Sequence, residues 1–374
     1  MTAPTPPRTG PALAALTTLR VGGPAARFVE TTTEAELVEA VRDADEAGEP
    51  LLVLGGGSNV LVSDDGFDGL VVRDARTGIT VPDHSACAGV TYTVPAGTPW
   101  DEVVEHATSH RLYGLEALSG IPGSTGATPV QNVGAYGQEV AQTIATVRAW
   151  DRARARVRTL PLADLRFGYR SSLLKRSMLD PADDESAAPW RPTPRYVVLD
   201  VTFQLRQGSL SAPIAYAELA RTLGVAVGER APLLEVRAAV LALRAGKGMV
   251  LDATDHDTWS AGSFFTNPVL DAAQAAALPP EAPRFALPDD GARDGVPGGA
   301  KTSAAWLIEH AGFGRGFGAP GPATLSTKHA LALTNRGGAT ATDLLALART
   351  VRDGVRDQFG VELRPEPVLV GVTF

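Results

Sequence analysis

A single cysteine, Cys87, occurs in 374 residues. It excludes an internal disulfide framework, which needs pairs, and it fits a reducing compartment. The chain has no run of about 18 apolar residues, so nothing in it predicts a membrane-spanning helix. Positive charge is also short: the formal net charge of -8 argues against a nucleic-acid surface. Any anionic ligand must then be met by local positive groups or by backbone amides. The opening MTAPTPPRTGPALAAL has prolines where a secretory signal needs its apolar stretch. Residues 1–16 therefore read as a frayed, untargeted tail. These features together predict a cytoplasmic protein.

Hydrophobic residues make up 44% of the chain and charged ones 20%, the balance of a folded globular protein. The length favours two or three domains. Thr33, the acids Glu34 and Glu36, a periodic apolar run and a closing glycine predict a helix through about Ala47, capped by Thr33. Short β-like segments follow: PLLVLGGG, NVLVSDDG, GLVVRDA and GVTYTVPAG. Residues 99–112 return to helical period, with Trp100, Val103, Val104 and Ala107 on one side. Strands resume at TVRAWDRA, RVRTLPLA and RYVVLDVTFQLR. The expectation is a small α/β layer leading into a mixed sheet. Residues 176–195 and 276–299, rich in proline, read as exposed loops. Beyond about residue 207 helices dominate, at YAELARTLG, PLLEVRAAVLALRAGK, KTSAAWLIEHAG and ATDLLALARTVRDGVRDQFG. The chain reads as an α+β protein divided at 207/208, its earlier part divided again near residue 76.

Two glycine-rich segments carry the first hint of chemistry. In LLVLGGGSNVLV, residues 51–62, Gly55, Gly56 and Gly57 separate two apolar runs and are followed by Ser58 and Asn59. Glycine permits close backbone approach and positive φ, so such a stretch can gather N–H groups around an anion. The dinucleotide fingerprint fails at Val60, where a third glycine should stand, and a phosphate loop would need a lysine that is missing. A plain tight turn between buried strands stays open on these residues alone. The second segment, GIPGSTGATPVQNVGAYG, spans 120–137. Pro122, Gly123, Ser124, Gly126 and Ala127 crowd a turn and the start of a short helix, able to offer N–H groups and hydroxyls to a diphosphate. Gln131, Asn132 and Tyr136, with Gly134 and Ala135 between them, add contacts that suit the polar edge of a ring. The pair suggests a long ligand clamped from two sides.

The segments LGGGSNVLV, GIPGSTGATPVQNVGAYG, RFGYRSSLLK, AGSFFTNP and RPEPVLVG occur in the order found in the UDP-N-acetylenolpyruvoylglucosamine reductases. From about Thr17 onward the chain resembles that family of flavoenzymes. The resemblance implies a two-part FAD-binding domain of the vanillyl-alcohol-oxidase (PCMH) type over 17–207, and a C-terminal α+β substrate-binding domain over 208–374. It implies non-covalent FAD on both glycine segments, with NADPH as hydride donor. The implied reaction reduces UDP-N-acetylglucosamine enolpyruvate to UDP-N-acetylmuramate in peptidoglycan precursor synthesis. The partners are then small molecules, with no nucleic acid or membrane, and the chain is expected to act as a monomer.

Hydride arriving at the β-carbon of an enol ether leaves negative charge on the α-carbon and its carboxylate. Such a site needs a guanidinium to hold the carboxylate and a proton donor for the carbon. In RFGYR, Tyr169 and Arg170 precede a helical SSLLK, and the resemblance gives Arg170 the first role and Tyr169 a substrate contact. In AGSFFTNP, Ser263 reads by itself as a turn former; the resemblance makes it the general acid. Glu366, between two prolines, is the other catalytic group implied. Arg237, Arg244 and Lys247 fall on one helix face, a solvated face by default. The resemblance turns Arg244 and Lys247, with Tyr216, Asn267 and His329, into substrate contacts. Arg364 stands where relatives often carry an acid.

Other patterns fall short. Ser172-Leu173-Leu174-Lys175 spells S-x-x-K, but the S-D-N partner of penicillin-binding enzymes is missing. His106 and His110 lack the glutamate of a zinc helix and read as surface residues. Two further readings stay open: an oxygen-using FAD oxidoreductase of the same fold, and a non-catalytic UDP-sugar-binding regulator.

Overall fold

The Thr33 hydroxyl accepts the N–H of Glu36 at 3.2 Å, and the Glu36 carboxylate takes the Thr33 N–H at 3.1 Å in return. This capping box opens the helix Glu34–Ala47, and Gly48 in the left-handed conformation closes it, as the sequence predicts. Leu37, Val41 and Ala44 point from this helix onto Leu51, Leu70 and Val72 of a three-stranded sheet. That sheet runs in the order Ala25–Thr31, Phe67–Asp74, Leu51–Leu54, the last two strands being parallel. Burying each such aliphatic side chain contributes about 1.5–3 kcal/mol.

The computed structural model describes residues 10–85, 89–179, 190–286 and 299–374, and these divide into two units. Cys87 and half of each of the two proline-rich loops, residues 180–189 and 287–298, lie outside the described residues. Within 176–195 the helix Leu173–Leu179 runs further than expected, and within 276–299 Arg284–Ala286 form a strand. The expected tail of residues 1–16 ends earlier than predicted: Leu13–Leu16 make a 3-10 turn with Leu13 fully buried.

In the first unit the small sheet is followed by a six-stranded one. Its main path runs Arg156–Pro161, Ile144–Asp151, Tyr196–Gln207, Gly89–Pro95, Thr80–Ser85. All its registered pairs are antiparallel, so the expected mixed sheet is corrected. Ile144–Asp151 and Arg156–Pro161 form a hairpin across a short turn, whereas Tyr196–Gln207 meets Ile144–Asp151 and Gly89–Pro95 from far along the chain. Trp100, Val103, Val104 and Ala107 of the helix Trp100–Ser109 pack on it beside Tyr92, Val94 and Phe203.

The helices Ala217–Leu223 and Leu233–Gly246 belong to this first unit, which continues to Val250 and so passes the expected boundary at 207/208. The reason is a small apolar cluster of Ala117, Ile214, Leu219, Val236 and Val240. Buried Glu116 adds to it by accepting the N–H groups of Gly114 and Ala212, both at 2.6 Å, and the Gln138 amide at 2.9 Å.

The second unit joins Leu251–Phe374 to two early segments, Pro11–Pro24 and Ser58–Phe67. Val60–Val62 pairs in parallel with Val368–Val370. The helix Ala341–Phe359 buries Leu344, Leu345, Leu347, Ala348, Val351 and Val355 against Leu307, Ile308 and Leu325. Its N-terminus is closed twice. Thr340 and Asp343 form a capping box, and Asp64 accepts the N–H groups of Ala341 at 2.6 Å and Thr342 at 3.0 Å. A carboxylate there also complements the positive end of the helix dipole.

Candidate active site

In the first unit the two glycine segments touch. A Cβ on Gly56 would lie 2.5 Å from the Cα of Gly123, and one on Gly55 would lie 2.5 Å from the Ser124 hydroxyl. Only glycine fits where backbone meets backbone this closely. The amides of Gly56, Gly123 and Ser124 donate to no group among the described residues. Gly126 is pressed on Ala96, 2.4 Å from a Cβ it does not have, and its N–H donates to Ala96 O at 2.9 Å. Ala127 closes the turn on Ser124 O at 3.1 Å, ahead of the short helix Thr128–Gln131. Unsatisfied amides along a side-chain-free crease fit a diphosphate.

The QNVGAY segment that follows is strained. Asn132 and Tyr136 both have positive φ, and so does Arg170. Each such non-glycine residue costs of order 1–3 kcal/mol, and such costs gather at functional sites. The Arg170 guanidinium donates to Gly134 O at 2.9 Å and Asn132 O at 3.4 Å, with the Tyr169 ring 5.4 Å away. Asn132 in turn donates to Glu139 at 2.8 Å and Gly168 O at 3.0 Å. Gln131 accepts from Lys175 at 2.6 Å. Ala135 pairs with Gln138 in a two-residue ladder. Arg170 is thus fixed to the loop that carries Asn132 and Tyr136. Pro122 sits next to Gly123 in the first turn of that loop.

Lys247, just after the helix Leu233–Gly246, pairs with Glu218 at 2.5 Å and lies 5.6 Å from the Tyr136 ring. Tyr216 meets Tyr136 edge-on at 5.5 Å and is 44% exposed, leaving it room to move. Arg244 donates to Met249 O at 2.7 Å, while its buried Nε has no partner among the described residues. Burial lowers its pKa to about 10, against the opposing pull of Tyr136 and Asp101. Arg237 departs from the expectation of a solvated basic face: it is spent on Asp101, at 2.8 and 2.9 Å.

The second unit holds the remaining predicted residues. The Ser263 hydroxyl lies 3.5 Å from Nε2 of His329. Glu366 follows a bridge between Phe265 and Pro365, and its N–H donates to Phe264 O at 2.8 Å. This places Ser263 and Glu366 on adjoining backbone. Asn59 O accepts the Val368 N–H at 2.9 Å, so Ser58 and Asn59 run into a strand beside the last motif. Asn267 Oδ1 takes the N–H of Ala304 at 3.0 Å, which fixes its amide plane.

The rival patterns resolve structurally. Ser172 is buried, donates to Val130 O at 2.7 Å and accepts the Lys175 N–H at 3.1 Å, so S-x-x-K is a helix start. His106 is half-buried and not a surface residue: its Nδ1 meets the Tyr92 hydroxyl at 2.8 Å, and its ring stacks on His110. Burial, then the charge of His110, lowers its pKa. No cluster that could hold a metal ion occurs among the described residues.

Comparison with known proteins identifies the family. A family model described as the C-terminal domain of UDP-N-acetylenolpyruvoylglucosamine reductase matches residues 253–370, and one described as an FAD binding domain matches 25–160. The UDP-N-acetylenolpyruvoylglucosamine reductase of Cutibacterium acnes is 56% identical over 363 residues, covering 96% of this chain and 89% of that protein. The chain belongs to the UDP-N-acetylenolpyruvoylglucosamine reductase family. The Saccharopolyspora erythraea enzyme of the same name is 55% identical over 370 residues, 97% of this chain and 96% of that one. The crystal structure of the UDP-N-acetylenolpyruvylglucosamine reductase from Thermus caldophilus superposes with a TM-score of 0.60 at 25% identity, covering 96% of this chain and 97% of that one. The expected mixed helix-and-strand fold with an FAD-binding part is that of this reductase family.

Sequence reasoning missed the partners of the predicted residues: Glu139 and Gly168 for Asn132, Glu218 for Lys247, and Asp101 for Arg237. Glu218 lies two positions from Tyr216 and could have been suspected as a counter-ion. The others carry no local signal.

Proposed function

We propose that this chain reduces UDP-N-acetylglucosamine enolpyruvate to UDP-N-acetylmuramate with NADPH, through non-covalently held FAD. The observation that carries this reading is identity above one half along nearly the whole chain with reductases of that name. The abutting glycine segments support it, because they offer backbone amides to a diphosphate without a lysine. Bound FAD would supply the two-electron relay, accepting hydride from NADPH and passing it to the enolpyruvyl β-carbon.

The chain's own groups do the rest. Gly55–Asn59 and Pro122–Tyr136 hold the cofactor. Arg170, fixed by two carbonyls, spreads the negative charge that develops on the substrate carboxylate. Ser263 gives a proton to the α-carbon, and Glu366 steadies the enol. Tyr169, Tyr216, Arg244, Lys247, Asn267 and His329 meet the UDP-sugar. A guanidinium with an unpartnered buried nitrogen, as in Arg244, gains from an anionic ligand what burial costs it. No helix among the described residues is long and apolar enough to cross a membrane. The reading sets the reaction in the cytoplasm, by a monomer.

The test is anaerobic and visual. The purified protein should be yellow, bleach on addition of NADPH, and recover its colour when the enolpyruvyl substrate is added. A protein that takes up no flavin defeats the reading. Colour restored by oxygen at a catalytic rate, but not by the substrate, would favour an oxidase of the same fold.

A further inference from the structure

Ser263 and His329 approach to 3.5 Å, and the turn that carries His329 is tied down at every step. The Ser326 hydroxyl oxygen accepts the N–H groups of Lys328 at 3.0 Å and His329 at 3.2 Å. His329 O accepts the Ala332 N–H at 3.1 Å, and Leu331 O accepts the N–H of Phe264, next to Ser263, at 2.7 Å. Asp257 grips the start of the turn. Its Oδ1 takes the Thr327 N–H at 2.9 Å, its Oδ2 the Thr327 hydroxyl at 2.5 Å, and Arg336 braces it at 3.0 Å. Burial works to raise the Asp257 carboxyl, but hydrogen bonds from Thr327 and Ser326 and the charge of Arg336 together hold it below the ordinary range. An anchored carboxylate therefore fixes where an imidazole meets a hydroxyl.

A serine hydroxyl is a weak acid. Once it gives its proton to carbon, the oxygen left behind is strongly basic and needs a donor at once. Imidazole is the side chain best suited to supply one near neutral pH. We propose that His329 is the positioning residue that resupplies the Ser263 proton, with the Asp257–Thr327 clamp holding it in place. Nε2–H donates to Ser263 Oγ. The Oγ–H bond breaks as its proton moves to the substrate α-carbon, the Nε2 proton passes to Oγ, and the ring takes a replacement from solvent. One proton enters from water and one forms the new C–H bond. This inference rests on the reading of Ser263 as the acid. It gives His329 a role beyond that of a substrate contact.

The titratable groups around the turn are Asp257 with Arg336, Lys328 with Asp255 at 2.5 Å, Glu366 on the backbone that pairs with Phe264, and His256, which lies between Asp255 and Asp257 with its ring 4.3 Å from that of Trp259. Carboxylates, lysines and arginines ordinarily titrate outside the range of about pH 5.5 to 8.5, which leaves that window to the two imidazoles, of which His329 is the one that meets Ser263.

The two half-reactions are measured separately by stopped flow across that window. In the wild type, reoxidation by the enolpyruvyl substrate should slow as pH rises through about 6.5, the ordinary histidine range. His329→Gln keeps a hydrogen-bonding side chain but does not titrate. It should lose this pH limb and lower the ratio of reoxidation to reduction rate about 10²-fold, at the low end for proton-transfer catalysis. A readout independent of turnover is the ring resonance of His329 by NMR, identified by its loss in His329→Gln, which should shift in Ser263→Ala. The proposal is overturned if wild-type reoxidation is flat with pH, or if His329→Gln keeps the wild-type profile and ratio. If Ser263→Ala also leaves reoxidation unslowed, the assignment of Ser263 falls with it; if Ser263→Ala slows it, only the relay falls.

Discussion

Arg237 and Asp101 form a two-pronged ion pair, and the same carboxylate accepts the N–H of Gly120 at 2.6 Å. The helix Leu233–Gly246 is thereby seated on the first residue of the second glycine segment. The fit there is close, since a Cβ on Gly120 would lie 2.7 Å from Leu241. Arg237→Met should loosen that segment and raise the Kd for FAD roughly tenfold, as expected for the loss of a charged hydrogen bond worth about 1.5 kcal/mol. Flavin fluorescence titration measures it. Burial works to raise the Asp101 carboxyl, but Arg237 and Gly120 outweigh it and leave the pKa depressed. The sign follows from a depressed folded-state pKa: the contribution is complete above about 3.9, the unfolded value, and is lost as pH falls below it. Wild-type stability should therefore drop in acid along a limb that Arg237→Met weakens, which acid denaturation of the two proteins measures.

Gly56→Ala sets a methyl group where Gly123 backbone already lies, 2.5 Å away. Neither backbone can give way cheaply, so the crease between the segments must open. The variant should purify with little or no flavin while its circular dichroism stays close to wild type. Normal flavin content would mean that the crease is not where the cofactor sits.

Lys247 is already paired with Glu218 and leans on the Tyr136 ring. Lys247→Ala should raise KM for both NADPH and the UDP-sugar several-fold. Glu218→Gln removes a competing anion and should lower KM for the anionic UDP-sugar, by an amount that shrinks with added salt. Steady-state kinetics at two ionic strengths checks both, and unchanged KM values in both variants would remove Lys247 from substrate binding.

Ser263→Ala should leave flavin reduction by NADPH near its wild-type rate and slow reoxidation by about 10²- to 10⁴-fold, the usual worth of general acid catalysis. Ser263→Cys keeps a donor and should recover part of that loss. Equal slowing of both half-reactions would instead mark Ser263 as a residue that only shapes its turn.

Local rules were legible in the sequence wherever the deciding groups are neighbours along the chain. The helix Glu34–Ala47 could be read to the residue because Thr33, Glu36 and Gly48 are its own punctuation. The Trp100–Ser109 helix showed its buried face through Trp100, Val103, Val104 and Ala107. The two glycine segments announced close backbone approach, and that is what Gly56 and Gly123 do. What stayed hidden depends on distant partners. Strand direction in the larger sheet is set by pairing between remote segments. Arg237 looked like a solvated cation because Asp101 stands more than a hundred positions away. The grip of Asp257 on Thr327 could not be seen for the same reason.

The parallel pairing of Val60–Val62 with Val368–Val370 has a consequence for biosynthesis. On the ribosome, the early strand emerges hundreds of residues before its partner exists. Through most of translation it is an apolar edge with open hydrogen-bonding groups, the kind that invites wrong partners. The second unit can close only once Val368–Val370 has been made, so mistranslation or truncation near the last motif would leave the exposed edge for quality control to find.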